Sequence, residues 1–239
     1  LLIAANANVN QARNDGATAL LVAYGAGHAD CAQLLIAANA NVDRADGRGY
    51  TPLHVAAAHG YRELVSLLLE HGARTDLRTA KGSITALALA EEKGHPAIAA
   101  LLRRHRRGTA AAQSVAQPRL STSARGPSMD AAFCTACLKG NAVVLDALLR
   151  EGGTVQKVAD EHGNTGLHLS CGEGRADCVQ LLIAANANVN QADNDGVTPL
   201  YAACSEGHLD CAQLLIATNA KVDEADNDGA TPLYVACIN

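Results

Sequence analysis

A threonine recurs every 33 residues at Thr165, Thr198 and Thr231, and the same interval separates Cys171, Cys204 and Cys237. A fixed period of this length constrains the chain more than any single motif. It calls for a stack of like units, none of which can bury its apolar face alone. The unit is clearest from Asp193 to Ala225. Asp193 to Gly196 is turn chemistry, because Asx side chains bond nearby backbone and glycine supplies a positive φ. Thr198 stands where a helix N-cap belongs, with Pro199 at the first helical position, where its missing N–H is not needed. Leu200, Ala202, Ala203 and Cys204 predict a short first helix stopped by Gly207. Asp210 is expected to open a second helix near the positive end of its dipole, with Leu214, Leu215 and Ile216 as its apolar face. Helices of two or three turns do not persist alone in water, so stability has to come from stacking on neighbouring units.

This unit resembles the ankyrin repeat. The residues carrying the likeness are Gly196, Thr198-Pro199-Leu200, Ala203, Gly207-His208, Leu214-Leu215 and Ala220-Lys221-Val222-Asp223. The resemblance covers everything except a central linker. It implies an all-α solenoid of helix–loop–helix repeats with β-hairpin tips, arranged in two arrays.

Composition agrees with that reading. Hydrophobic residues make up 49% of the chain, but they lean on Ala and Leu with no Trp and one Phe, as in close-packed helices rather than an aromatic-rich core. No apolar run approaches the ~18 residues of a membrane span. The opening LLIAA has the look of a signal-peptide core, yet LLIAANANVNQA at residues 1–12 recurs at 181–192, so it reads as the tail of a repeat. Cysteines at one repeat position lie about a repeat apart, beyond disulfide reach. They read as small core residues in a reducing compartment, which points to a cytoplasmic or nuclear protein. Cys134 and Cys137 form the one CxxC, and no second ligand pair lies nearby to make a zinc site.

In chain order, residues 1–107 form a first array that starts mid-repeat, with Ala17-Thr18-Ala19-Leu20 in place of a Thr-Pro-Leu start in its second unit. The unit at 46–78 is the closest to the family pattern, with Thr51-Pro52-Leu53-His54, and the resemblance implies that His54 bonds the Thr51 region. Residues 79–107 read as a degenerate, polar end repeat. Thr85 falls 34 residues after Thr51, so one residue has been inserted near Ser83-Ile84. Residues 108–128, rich in Ala, Ser, Pro and Arg, read as a flexible linker. Residues 129–239 form a second array that begins with a divergent cap repeat and ends mid-repeat. Gly166 and Gly172 in its second unit are expected to weaken a helix by ~1 kcal/mol each. Two arrays cut at their outer ends, or two neighbouring reading frames joined at Met129, both fit this order. Charge follows the same division, at +3 for residues 1–107, +2 for the linker and −10 for residues 129–239. Such asymmetry suggests different partners for the halves or an attraction between them.

No catalytic motif appears, and neither a cofactor, a metal nor a small-molecule substrate is implied. The DNDG turns resemble half of a calcium loop, but the twelfth position, where a bidentate Glu belongs, holds Ala202 or Val235. Arg103, Arg104, Arg106 and Arg107 form the one basic cluster, the only feature favouring nucleic acid, and they also suit a helix C-terminus. The resemblance implies a concave face of hairpin tips and exposed first-helix positions. The partner-binding residues it suggests are Arg44, Arg48, Tyr50, His59 and Lys81 in the first array, with Ala58 beside them. In the second they are Asp195, Val197, Ser205 and Glu206, with Asn164 and Glu173. Tyr and Arg dominate binding energy at interfaces, which favours Arg48, Tyr50 and His59. Asn10 and Asn190 resemble the hairpin asparagines that asparaginyl hydroxylases modify in this family. The functional expectation is a non-enzymatic scaffold that binds other proteins, or else the targeting arm of a larger enzyme or channel.

Overall fold

The computed structural model describes residues 1–106, 131–150 and 160–238. Its regular structure starts from six threonines. The hydroxyls of Thr18, Thr51, Thr85, Thr165, Thr198 and Thr231 each accept the backbone N–H three residues on, at 3.2–3.5 Å. Each satisfies a donor that a helix start leaves orphaned. The first helices that follow are α1 (Ala19–Ala26), α3 (Pro52–His59), α5 (Ala86–Glu92), α9 (Gly166–Gly172), α11 (Pro199–Ser205) and α13 (Pro232–Ala236). Their second-helix partners are α2 (Ala29–Ala37), α4 (Arg62–Glu70), α6 (Pro96–Arg106), α10 (Ala176–Ala184) and α12 (Leu209–Ala217). α7 (Ala131–Lys139) and α8 (Ala142–Arg150) form a further pair. The residues read as a linker, 108–128, and Arg107 lie outside the described residues.

The turns between repeats are built by aspartates. Asp46, Asp160, Asp193 and Asp226 each accept the N–H groups two and four residues ahead on one carboxylate oxygen, at 2.8–3.0 Å. Each also donates its own N–H to the carbonyl four residues on, at 2.9–3.2 Å. These tips are too short to count as strands: among the described residues there is only an isolated bridge, Ala12 to Thr18. Successive tips are tied by single backbone bonds, such as Asn194 N–H to His162 C=O at 2.9 Å and Asn227 N–H to Asp195 C=O at 2.9 Å.

Two tips lack that aspartate. Before α1, Arg13 takes its place and donates its N–H to the Ala17 carbonyl at 2.9 Å. Before α5, Thr79 stands there, and its N–H reaches Ile84, five residues on, at 3.0 Å. The extra residue is absorbed by Gly82 and Ser83, both at positive φ. Ser83 is the one residue other than Asn and Gly described there. The insertion read from the spacing is therefore located at the tip.

α11 ends at Ser205 with Glu206 as its C-cap, and Gly207 follows in the left-handed region, the place where a glycine ends a helix. Two local expectations are corrected. α12 is opened by His208, with Asp210 inside its first turn. The buried face of α12 is Cys211, Ala212 and Leu215, while Leu214 and Ile216 are half-buried. Positions 211, 212 and 215 lie on one side of a 3.6-residue helix, and 214 and 216 flank it. In α2 the residue matching Leu214, Leu34, is 63% exposed, while Leu35 is fully buried.

Gly166 also behaves differently from its propensity. A Cβ there would lie 2.5 Å from Cε1 of Phe133, a fully buried ring of α7. The glycine is the socket for that ring, so its helix penalty is offset by packing. At Gly172 a Cβ would meet nothing, and the propensity cost stands.

The chain divides into two compact units. Among the described residues, one groups Leu1–Ala7 with residues 131–150 and 160–237, and the other holds residues 8–106 with Ile238.

Candidate functional site

The histidines of the frame hold successive repeats together. His54 accepts the Thr51 N–H at Nδ1 (3.3 Å) and meets the Thr51 hydroxyl at 2.8 Å. Its Nε2 lies 3.1 Å from the Ile84 carbonyl, 30 residues away. With Nδ1 accepting, Nε2 carries the proton and donates to that carbonyl. His168 repeats the arrangement with Thr165 and the Val197 carbonyl, the latter at 2.9 Å. Burial pushes both imidazoles below the ordinary histidine pKa, so both are neutral struts. The loop histidines serve similarly, with His95 Nε2 at 3.1 Å from the Ala58 carbonyl and His208 Nε2 at 3.1 Å from the Gly172 carbonyl.

The thiols are equally structural. All eight cysteines are free and seven are buried, with Cys31 half-exposed. Burial drives Cys137 and Cys204 up to about 12, far from the thiolate range that makes a cysteine reactive. Cys171 hydrogen-bonds Cys211, which raises its pKa. The two belong to different repeat positions, so comparing like positions along the sequence does not reveal the contact. Among the described residues, no group of three or more His, Cys, Asp or Glu side chains could hold a metal ion.

The tips and first helices carry the candidate partner-binding residues. In the unit of residues 8–106, the Arg48 guanidinium bonds Asp46 at 3.1 Å and lies 5.5 Å from the Tyr50 ring centroid. The Arg48 side chain is 79% exposed while that of Asp46 is 4% exposed, so the buried carboxylate anchors an outward-facing cation. Tyr50 packs edge-on to His54 at 6.1 Å. His59 is exposed, bonds the Val55 carbonyl at 3.0 Å and stacks on Tyr61 at 5.6 Å. Lys81 is exposed on the following tip, which is joined to the Arg48 tip by the Ala80 N–H to Arg48 C=O bond of 2.8 Å. Arg44 is half-buried in the loop below. The structure thus brings Arg48 and Tyr50 together.

In the other unit, Asp195 and Glu206 are exposed. Ser205 donates to Glu206 Oε1 at 3.3 Å, and Asn164 donates to Asp160 Oδ2 at 3.1 Å. Glu173 pairs with Arg175 at 3.7 Å. Val197 is half-buried, with its carbonyl taken by His168.

The family model described as "Ankyrin repeats (3 copies)" matches residues 1–79, 113–193 and 185–239. The chain belongs to the ankyrin-repeat family. Ankyrin repeats are generally protein–protein interaction modules. No curated protein matches the chain.

Two ankyrin positions singled out from sequence turn out to tie repeats together. Asn10 Oδ1 accepts the Asn41 N–H at 2.7 Å, and its amide donates to the Asn39 carbonyl at 3.3 Å. Asn190 Oδ1 accepts the Lys221 N–H at 2.7 Å. Asp43 does the same for the Arg74 N–H at 2.8 Å. Within the basic run, Arg103 pairs with Glu91 at 2.6 Å on α6.

Sequence reasoning missed Asp46 as the anchor of Arg48 and Tyr61 as the platform for His59. The signal for Asp46 was its place in the turn. Tyr61, which starts no motif, gave none. It also missed an apolar surface on α7 and α8, where Leu138, Val143 and Val144 are exposed beside a cleft lined by Ala132, Thr135 and Lys139. No described helix is long and apolar enough to cross a membrane.

Proposed function

We propose that this chain is a non-enzymatic scaffold that binds other proteins across its hairpin tips and the exposed side of its first helices, within the cytoplasm or nucleus. The observation that carries the reading is the Asp46–Arg48–Tyr50 tip, where a buried carboxylate holds an exposed guanidinium beside an aromatic ring. A pre-positioned Arg and Tyr lose little side-chain freedom on binding and are the residue types that anchor interfaces. His59 and Lys81 extend that patch, with Arg44 at its margin. Asp195, Ser205 and Glu206 form the corresponding acidic surface of the other unit, where Val197 serves mainly as frame. Eight free cysteines, seven of them buried, support a reducing compartment.

The test is affinity capture with the full chain as bait, compared with an R48A/Y50A/H59A triple variant. A partner held by the parent and lost from the variant supports the reading; identical capture profiles sink it for this patch. Hydroxylation of Asn10 and Asn190 is part of the same proposal. Intact mass of natively purified protein, showing or lacking one added oxygen, decides it.

A further inference from the structure

Two adjacent tips in the unit of residues 8–106 carry positive charge that their surroundings do not balance. Residues 44–51 and 78–85 hold four cations, Arg44, Arg48, Arg78 and Lys81, against one carboxylate, Asp46. The Ala80 N–H donates to the Arg48 carbonyl at 2.8 Å and so fixes one tip beside the other. Asp46 is already committed. One of its oxygens accepts the N–H groups of Arg48 and Tyr50, and the other accepts Arg48 Nε. The Arg78 guanidinium donates to the Ser83 carbonyl at 2.7 Å, which holds it in place without cancelling its charge. Among the described residues, no carboxylate pairs with Arg44, Arg78 or Lys81.

Arg48 is the best prepared of the four for a ligand. The bond from Nε to Asp46 and the Tyr50 ring, 5.5 Å away, together set the plane of its guanidinium. That leaves the two terminal amino groups, Nη1 and Nη2, on a side chain that is 79% exposed. Parallel N–H bonds from a guanidinium are the geometry that takes a carboxylate bidentately. The patch is also bounded. At the tip before α1 the matching position is Asp15, which pairs with Arg13. On α5 the exposed Glu91 and Glu92 pair with Arg103 at 2.6 Å and Lys93 at 3.2 Å. In the other unit the position of Arg48 and Lys81 is held by His162, Asp195 and Asp228, so the same place in the repeat carries no lysine or arginine there.

We infer, building on the docking reading above, that the partner of the Arg48 and Lys81 tips is an acidic peptide segment, with one carboxylate seated bidentately on Arg48 and a second on Lys81. Charge complementarity selects this class, because the tips offer unpaired cations and no free carboxylate. A nucleic acid fits less well. Single strands bind by stacking bases on open aromatic faces, and the Tyr50 ring is already engaged by Arg48 and, edge-on, by His54 at 6.1 Å.

Fluorescence anisotropy with the full chain tests the inference, using labelled octaglutamate, octaglutamine and an oligothymidylate of equal length as probes. Octaglutamate should bind and octaglutamine should not, with affinity falling as salt rises. An R48A/K81A variant should bind octaglutamate about tenfold more weakly. An R62A/R104A variant, which removes equal charge from exposed positions of α4 and α6, should keep the parental affinity. Equal losses from the two variants would reduce the attraction to net charge and overturn the site. Arg48→Lys keeps the charge but not the fork, and should weaken binding about threefold. Parental affinity in that variant would overturn the bidentate seat. Tighter binding of oligothymidylate than of octaglutamate would overturn the peptide class in favour of nucleic acid. Failure of octaglutamate to bind, while capture is still lost from the R48A/Y50A/H59A variant, overturns the acidic class and leaves the docking reading standing. Identical capture profiles remove the docking reading itself.

Discussion

The repeats at 46–78 and 193–225 open their first helices with the same three residues, Thr-Pro-Leu, and tie themselves to the next repeat by different chemistry. In the first, His54 closes a capping box with Thr51 and reaches forward to the Ile84 carbonyl. In the second, Tyr201 takes that position, and its hydroxyl donates to the Asp226 carboxylate at 2.8 Å. Thr198 still caps α11, but no ring nitrogen returns to its N–H. The link therefore tolerates different side chains, provided that the third helical residue carries a polar atom able to reach the neighbouring tip. What differs is sensitivity to protons: the histidine link depends on an imidazole whose pKa burial lowers, and the tyrosine link contains no imidazole.

The comparison is broken most forcefully in the shared core. Leu68 and Leu215 are both fully buried on second helices. Leu68→Ala and Leu215→Ala should each destabilise by about 2–5 kcal/mol in urea denaturation. A loss under ~1 kcal/mol at one site alone would show that the two repeats are not packed alike. Next come the links themselves. His54→Ala leaves a buried donor or acceptor unsatisfied and should lose about 1–3 kcal/mol, whereas Tyr201→Phe should lose nearer 1 kcal/mol because Asp226 keeps its backbone donors. Equal losses from the two substitutions would argue against the distinction drawn here.

The pH response sharpens it further. Burial lowers the pKa of His54 and His168 below the ordinary 6.5. In that window the unfolded chain binds more protons than the folded one, so stability falls as pH drops. It is fully present above 6.5 and is lost as pH falls below that value toward the depressed folded pKa. Protonating Nδ1 also removes the acceptor for the Thr N–H. Denaturation midpoints measured from pH 7.5 to 5 should decline in the parent and decline less in an H54Q/H168Q variant; parallel curves would refute a histidine origin. The smallest effect is expected at the tips. Arg48→Ala and Asp195→Ala should each change stability by less than about 0.5 kcal/mol, despite their opposite charges. A loss above ~1 kcal/mol at either would mean that the tip is frame rather than free surface.

Much of this is legible in the sequence. The threonine caps, the aspartate turns and the inserted residue near Ser83 are local devices, closed by hydrogen bonds within three to five residues. Residue order alone specifies such devices, because the bonding partners are already neighbours along the chain. The site was less legible. Arg48 and Tyr50 could be named from residue type and position, but the Asp46 anchor and the His59–Tyr61 stack depend on how side chains turn once the helices are set.

By itself, then, the sequence determined the repeat, its period, its caps and turns, and the family. Tertiary structure decided which of two adjacent leucines faces the core, as with exposed Leu34 beside buried Leu35. It decided that Gly166 makes room for Phe133 and that Cys171 meets Cys211. It also grouped Leu1–Ala7 in one unit with residues 160–237, which are distant from that segment in sequence. The physical reason is the same in each case. Short helices gain their stability by stacking, and stacking joins residues a full repeat or more apart, so local pattern specifies the unit and contact between units specifies its surroundings.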